Sequence, residues 1–509
     1  MQRSSNCPRL VAVILASAVI AHGSALAQTG KVSTKMASVL LPSSSPIVSF
    51  RILFNAGSAS DPKGKEGVAS LTASMISDGG SRPMPYAQIV EAMYPMASGF
   101  SSQVDKEMTV FYGMTHVDNL AKYYKIISDM MLDPGWREED FNRLREDAIN
   151  FLKVSLRGNN DEELGKEALY NFIYAGHPYG HHNAGTIESL QKLTLDDLKS
   201  FYRENYTRAN LVLGLAGGYP KGFDEKVEAE LAAKLPAGQA RKLALPEPEK
   251  IEGLEMQVIE KDTMATAISF GFPIPVTRSH ADWPALLLVQ SYLGQHRSSN
   301  SYLYQRLRQI RGLNYGDYAY IEYFPRGMFQ SHPSPNLGRQ QQIFQVWIRP
   351  VEPKNGLFAL RAALYELDKL SKNGMSKPDF NATKQFLSKF VNVLTKAQDQ
   401  QLGYALDSRY YGIGGFADHV RSQLDKLTLE DVNRVIKKYL QANNVKIVVV
   451  TKDAEAFRNA AVGGKPSPIS YTSPPAKEIL EEDKVIETYK LGLNPKEVEV
   501  VPVGQVFQK

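Results

Sequence analysis

The chain reads as an α+β protein built from two homologous domains, and three observations carry that reading. LQKLTLDDLKSFYRENYTRAN (190–210) returns as LDKLTLEDVNRVIKKYLQANN (424–444). Leu190, Lys192, Leu193, Thr194, Leu195, Asp197 and Asn210 recur 234 residues later as Leu424, Lys426, Leu427, Thr428, Leu429, Asp431 and Asn444. In each copy a Thr is followed three residues on by Asp, a capping-box-like helix start, and an apolar strand comes next, LVLGLAG or VKIVVVT. The halves also open alike, on the strands IVSFRILFNAG (47–57) and ATAISFGFPIP (265–275), each leading through a polar loop into an apolar helix. LPAGQARKLALPEPEKIEG, between the halves, has the Pro, Gly and charge content of a linker. The expected domains are therefore 29–235 and 253–455, with a linker at 236–252 and an extension at 456–509. In that extension PSPISYTSPP reads as a hinge and VEVVPVGQVF as an additional strand.

Residues 1–27 read as a secretory signal peptide: Arg3 and Arg9 precede the apolar run LVAVILASAVIAHGSA, and Ala25 and Ala27 place small residues before Gln28. The expectation is export, with a bacterial periplasm as the best fit. The one cysteine, Cys7, lies inside that segment, so 28–509 offers no disulfide, no Cys-based zinc site and no Cys nucleophile. No later stretch is apolar for long enough to span a membrane. With Arg3 and Arg9 removed the charge is +3, 57 basic residues minus 54 acidic, a balance that argues against nucleic acid as a partner.

GVASLTASMISDGG (67–80) reads as an amphipathic helix closed by glycines, with Val68, Leu71, Met75 and Ile76 on its core face. It is followed by a later strand, GFSSQVDKEMTVFYG, and then by HPYGHHNAGTIESLQKLTLDDLKSFYRENYTRANLVLGLAGG. In order and spacing this layout resembles the pitrilysin/insulinase (M16, inverzincin) family of zinc peptidases, which includes the mitochondrial processing peptidase. The resemblance covers nearly all of the mature chain. It implies two M16-type domains, each an antiparallel-rich sheet with packed helices, together forming half of a clamshell. Active members of the family carry H-x-x-E-H on the helix matching 67–80. Positions i and i+4 share one helical face, so two His there bind one zinc, and a Glu at i+3 deprotonates the zinc-bound water. Those positions here are Ser70, Ala73 and Ser74. The family's third ligand, a Glu on a later helix, falls on Asn150 or Phe151. The expectation is that this chain binds no metal.

HPYGHHN is the one histidine cluster, and His177, His181 and His182 are expected to form a turn rather than a metal site, because Pro178 and Gly180 break any helix that would align them. The second half holds YLYQRLRQIRGLNYGDYAYIEYF (302–324), helical at first with Leu303 and Leu307 on one face, ended by Gly312 and followed by an aromatic strand. In active members this region supplies an Arg and, seven residues on, a Tyr that reach the zinc site across the chamber. Arg308 and Tyr315 have that spacing, as do Arg311 and Tyr318, whereas Arg306 has no Tyr seven residues on; the resemblance assigns the role to Arg308 and Tyr315. A guanidinium and a phenol held this way donate hydrogen bonds to substrate and to the oxyanion of amide hydrolysis.

Loss of the zinc motif with retention of the Arg/Tyr pair resembles the zinc-less subunit of two-subunit family members. That resemblance implies a heterodimer with an H-x-x-E-H subunit carrying the zinc, acting on peptide substrates. The segment 97–115 matches the family's peptide-binding edge strand near Phe100. The alternative is a non-catalytic peptide-binding or scaffold protein of the same fold. A solitary hydrolase of unrelated chemistry would need a motif such as G-x-S-x-G, which is absent.

Overall fold

Alternating apolar strands and capped helices assemble into two sheets of matching topology. The computed structural model describes residues 36–240, 243–471, 473 and 475–509; the expected signal peptide, 1–27, lies outside the described residues. The first sheet contains β1 (Ala37–Pro42), β2 (Ile47–Phe54), β3 (Gly99–Val104), β4 (Thr109–His116) and β5 (Leu211–Gly217), in the order β1-β5-β2-β4-β3. The second contains β6 (Leu254–Glu260), β7 (Thr266–Ile274), β8 (Asp317–Tyr320), β9 (Gln342–Val351) and β10 (Val445–Thr451), in the corresponding order β6-β10-β7-β9-β8. Among these five strands of each sheet, the first pairs parallel with the last and every other pairing is antiparallel. The duplication read from the repeat therefore extends to strand order and direction.

Both repeated helices start on a complete capping box, Thr194 with Asp197 and Thr428 with Asp431. The strands that follow are buried at every position, because each sheet is covered on both faces. The covering helices are exchanged between the halves. Helix Asp161–Ile173, from the first half, packs on β7 and β10 of the second sheet; helix Gln398–Tyr411, from the second half, packs on β5, β2 and β1 of the first. A small residue eases the second crossing: a Cβ on Gly214 of β5 would lie 3.1 Å from Leu406. A bidentate ion pair anchors the second crossing, with Arg51 on β2 donating to Asp399 from Nε at 3.0 Å and from Nη2 at 2.6 Å.

Two features differ from the sequence reading. The 99–113 stretch, read as one strand, is a hairpin of β3 and β4, since Asp105, Lys106 and Glu107 turn the chain, with Asp105 N donating to Met108 O. Of the two hairpin strands, β3 lies at an edge of the sheet and β4 lies inside it. The equivalent β8–β9 connection is expanded into a strap, 325–341, that crosses to the first half. Buried Arg339 of the strap forms a bidentate pair with buried Asp105, and Gln103 of β3 donates to the carbonyls of Pro335 and Asn336.

The C-terminal segment spans both halves. β11 (Val498–Pro502) extends the second sheet parallel to β6, and the residues beyond it return to the first half, where Arg157 donates to Val506 O and Ile187 N to Phe507 O.

Candidate functional site

The helix expected to bear the metal positions, Val68–Asp78, begins where Asp61 accepts from the backbone N–H groups of Gly67 and Ala69. Gly67 is required there: its φ is 98°, and a Cβ would fall 2.5 Å from Ala184 O. Val68, Leu71, Met75 and Ile76 are buried as the periodicity predicts, but so is Ala73, at 0 % exposure. The position of the expected base is thus a core position. Ser70 lines a cleft of about 510 Å³ together with Ser102 and Gln103 of β3, Phe151, and Met328 and Phe329 of the strap. Phe151, one of the two candidates for the third-ligand position, begins a stretch with i→i+5 hydrogen bonding, 151–156, that runs on from helix Glu138–Asn150.

Serine hydroxyls, an alanine and a phenylalanine do not fit a zinc ion. Among the described residues no group of three His, Cys, Asp or Glu side chains is placed to hold a metal. The acidic groups in the cleft wall have other partners. Glu167 accepts from Tyr323 Oη at 2.8 Å, and Glu163 accepts from Lys166 Nζ and from the backbone of Arg326. Burial, reinforced by Glu163, raises the Glu167 carboxyl to about 7. The histidines are held singly. His177 bonds Pro246 O, His181 faces Asp61 at 3.2 Å, and His182 accepts from Ala184 N through Nδ1. Burial lowers His182 to about 3, so it is neutral at ordinary pH.

Arg308 and Tyr315 come together. The Arg308 guanidinium carbon lies 5.3 Å from the Tyr315 ring centroid. Tyr315 is 76 % exposed, and among the described residues no carboxylate pairs with Arg308. The arginines on either side are tied down. Arg306 pairs with Glu366 and Glu482, and Arg311 with Glu482 and Asp483; both Glu482 and Asp483 belong to the C-terminal helix Lys477–Glu487. This clamp was not legible in the sequence, because it joins residues about 170 positions apart. The turn that presents Tyr315 is held from below: Asn314 Nδ2 donates to Asp317 Oδ1 at 2.7 Å and to Arg349 O at 3.1 Å. Leu303 and Leu307 are fully buried and anchor the helical segment behind Arg308.

Residues 38–187 match the family described as Insulinase (Peptidase family M16), and 192–387 match Peptidase M16 inactive domain. The chain belongs to the M16 family. Curated relatives of this M16 protein include a non-peptidase homolog, YmxG, of Helicobacter pylori, 22 % identical over 421 residues, covering 80 % of this chain and 89 % of that one. Another is an uncharacterized zinc protease of Mycobacterium tuberculosis, 21 % identical over 355 residues, covering 69 % and 76 %. Among solved structures, a peptidase M16 inactive domain from Pseudomonas fluorescens superposes with a TM-score of 0.72 at 21 % identity, covering 82 % of this chain and 96 % of that one. The periplasmic protease PqqL from Escherichia coli superposes with a TM-score of 0.64 at 13 % identity, covering 91 % of this chain and 50 % of that one. The M16 fold is thus present in both halves, as the repeat and the resemblance implied.

Proposed function

We propose that this chain is the zinc-less subunit of a two-subunit M16 peptidase. It pairs with an H-x-x-E-H chain that holds the zinc and supplies Arg308 and Tyr315 to the substrate and to the oxyanion formed there. The observation that carries this reading is the pair itself. An arginine without a carboxylate partner among the described residues stacks on a tyrosine that is three-quarters exposed, while its two arginine neighbours are consumed in ion pairs. Such a pair has donors that could meet a substrate held by a second chain. The match to half the length of PqqL supports the same reading, since a second chain would complete the fold. Export to the periplasm is part of the proposal, resting on the signal-like N-terminus and on the periplasmic setting named for PqqL; among the described residues no helix is long and apolar enough to cross a membrane.

The test is to purify the chain from Gln28 onward, alone and mixed with an exported H-x-x-E-H chain from the same organism, and to measure zinc content and cleavage of a quenched peptide mixture. The chain alone is expected to hold no zinc and cut nothing. The mixture is expected to cut, and to lose about 100-fold in rate with Arg308→Ala or Tyr315→Phe. Full activity with both residues changed would sink the assignment of roles.

The second reading, a non-catalytic binding or scaffold protein, is favoured by the name of the Helicobacter relative, non-peptidase homolog. It would be the answer if the mixture were no more active than the zinc-bearing chain alone.

A further inference from the structure

The duplication places a second cavity in the C-terminal half, at the counterpart of the degenerate metal position. Helix Trp283–Gly294 follows β7 as Val68–Asp78 follows β2, and helix Lys377–Leu394 stands in chain order where Glu138–Asn150 stands in the first half. Between these helices and the strap lies a void of about 100 Å³. Its wall is mainly apolar, with Leu287, Leu387, Val391, Phe416 and Val420 from the helices and Leu337 from the strap. Ser331, Pro333 and Ser334 of the strap are the more exposed part of the lining and form its outer side.

The charged groups in this wall are already paired. Arg278 donates to both carboxylate oxygens of Glu322 and, at 3.1 Å, to Asp407, and Trp283 Nε1 donates to Glu322 Oε1. His296 is bonded through both ring nitrogens, to Tyr320 Oη and to Gln330 O, and burial lowers it to about 4, so it is neutral. A charged ligand would lose its hydration and find no free partner. A mainly apolar pocket favours apolar guests, and since an engineered apolar cavity of about 150 Å³ admits a benzene ring, one small ring is the largest guest expected here.

We propose that this cavity is a binding site for a small neutral ring compound, of about one six-membered ring, held by apolar contact and excluded if charged. The site is independent of the Arg308/Tyr315 reading, since none of its lining residues belongs to that pair. The strap forms one wall of it. Tyr323 and Leu337 line this void and also the first-half cleft at Ser70, so the two cavities share one partition.

The experiment titrates the chain from Gln28 onward with toluene, benzoate and benzylammonium by ligand-observed NMR and calorimetry. Wild type is expected to bind toluene saturably and the two ions at least about ten-fold more weakly. Val391→Trp, and separately Leu287→Phe from the opposite helix, are expected to abolish toluene binding with unchanged circular dichroism. Using two filling variants keeps the test decisive if one fails to fold. No saturable toluene binding to wild type, equal binding of an ion, or undiminished binding by a folded filling variant would each overturn the proposal.

Discussion

Arg308 differs from Arg306 and Arg311 in what surrounds it; a tyrosine seven residues on sets Arg308 and Arg311 apart from Arg306 but does not separate those two from each other. The structure adds a reason. Arg306 and Arg311 are absorbed by Glu366, Glu482 and Asp483, which leaves Arg308 to stack on Tyr315. At the same turn Asp317 is fully buried, with one oxygen unpartnered and the other accepting from Asn314; burial raises its carboxyl to about 8 against the partial relief of Arg349. Because the folded value lies above the unfolded one, the stability Asp317 contributes is fully present below about pH 4 and is lost as pH rises through about 8. Wild type is therefore expected to lose several kcal/mol between pH 5 and pH 9 that Asp317→Asn does not lose. Urea midpoints at the two pH values check this, and parallel slopes for the two proteins would contradict it.

At the scale of elements, the strap between β8 and β9 is the main departure from the symmetry of the halves. The first half makes the corresponding connection in four residues, 105–108, whereas the second uses 321–341. The longer segment is held by Arg339, whose guanidinium is paired with Asp105 and lies 3.8 Å from the Tyr323 ring centroid in a buried setting. Removing one member of a buried ion pair leaves the other charge desolvated, so Arg339→Met is expected to cost about 3–5 kcal/mol. Chemical denaturation measures it, and a change below about 1 kcal/mol, the range of an exposed pair, would mean that Asp105 finds water or another donor. The strap lies beside the edge strand β3 and approaches it at Gln103.

For the whole molecule, the exchange of helices makes the two halves one folding unit. Helix Asp161–Ile173 completes the core of the second sheet, and helix Gln398–Tyr411 covers the first. The buried cluster around β2 and β5 accordingly includes Ile259, Ala267, Val448 and Val450 from the second half. A half expressed alone would expose a sheet face and an apolar helix, so the chain is expected to unfold in a single calorimetric transition. Two resolved transitions, assignable to the halves by the effect of Thr194→Ala on one and Thr428→Ala on the other, would show that each core stands by itself.

What the sequence determined by itself is whatever local chemistry and periodicity specify: the duplication, both capping boxes at Thr194 and Thr428, the core face of 67–80, and the loss of ligand chemistry at Ser70, Ala73 and Ser74. Each depends on residues within a few positions of one another, or on direct comparison of two copies. The opening strands β1 and β6 carry no such local signature, since each is short and gains its meaning from parallel pairing with a strand nearly 200 residues away. The tertiary structure alone decided which helix covers which sheet, that the tail's Glu482 and Asp483 flank Arg308 by pairing with its neighbours, and that the strap divides two cavities. Those outcomes come from burial and ion pairing between distant segments, where the energy depends on the three-dimensional approach of the groups and leaves no period or spacing to read.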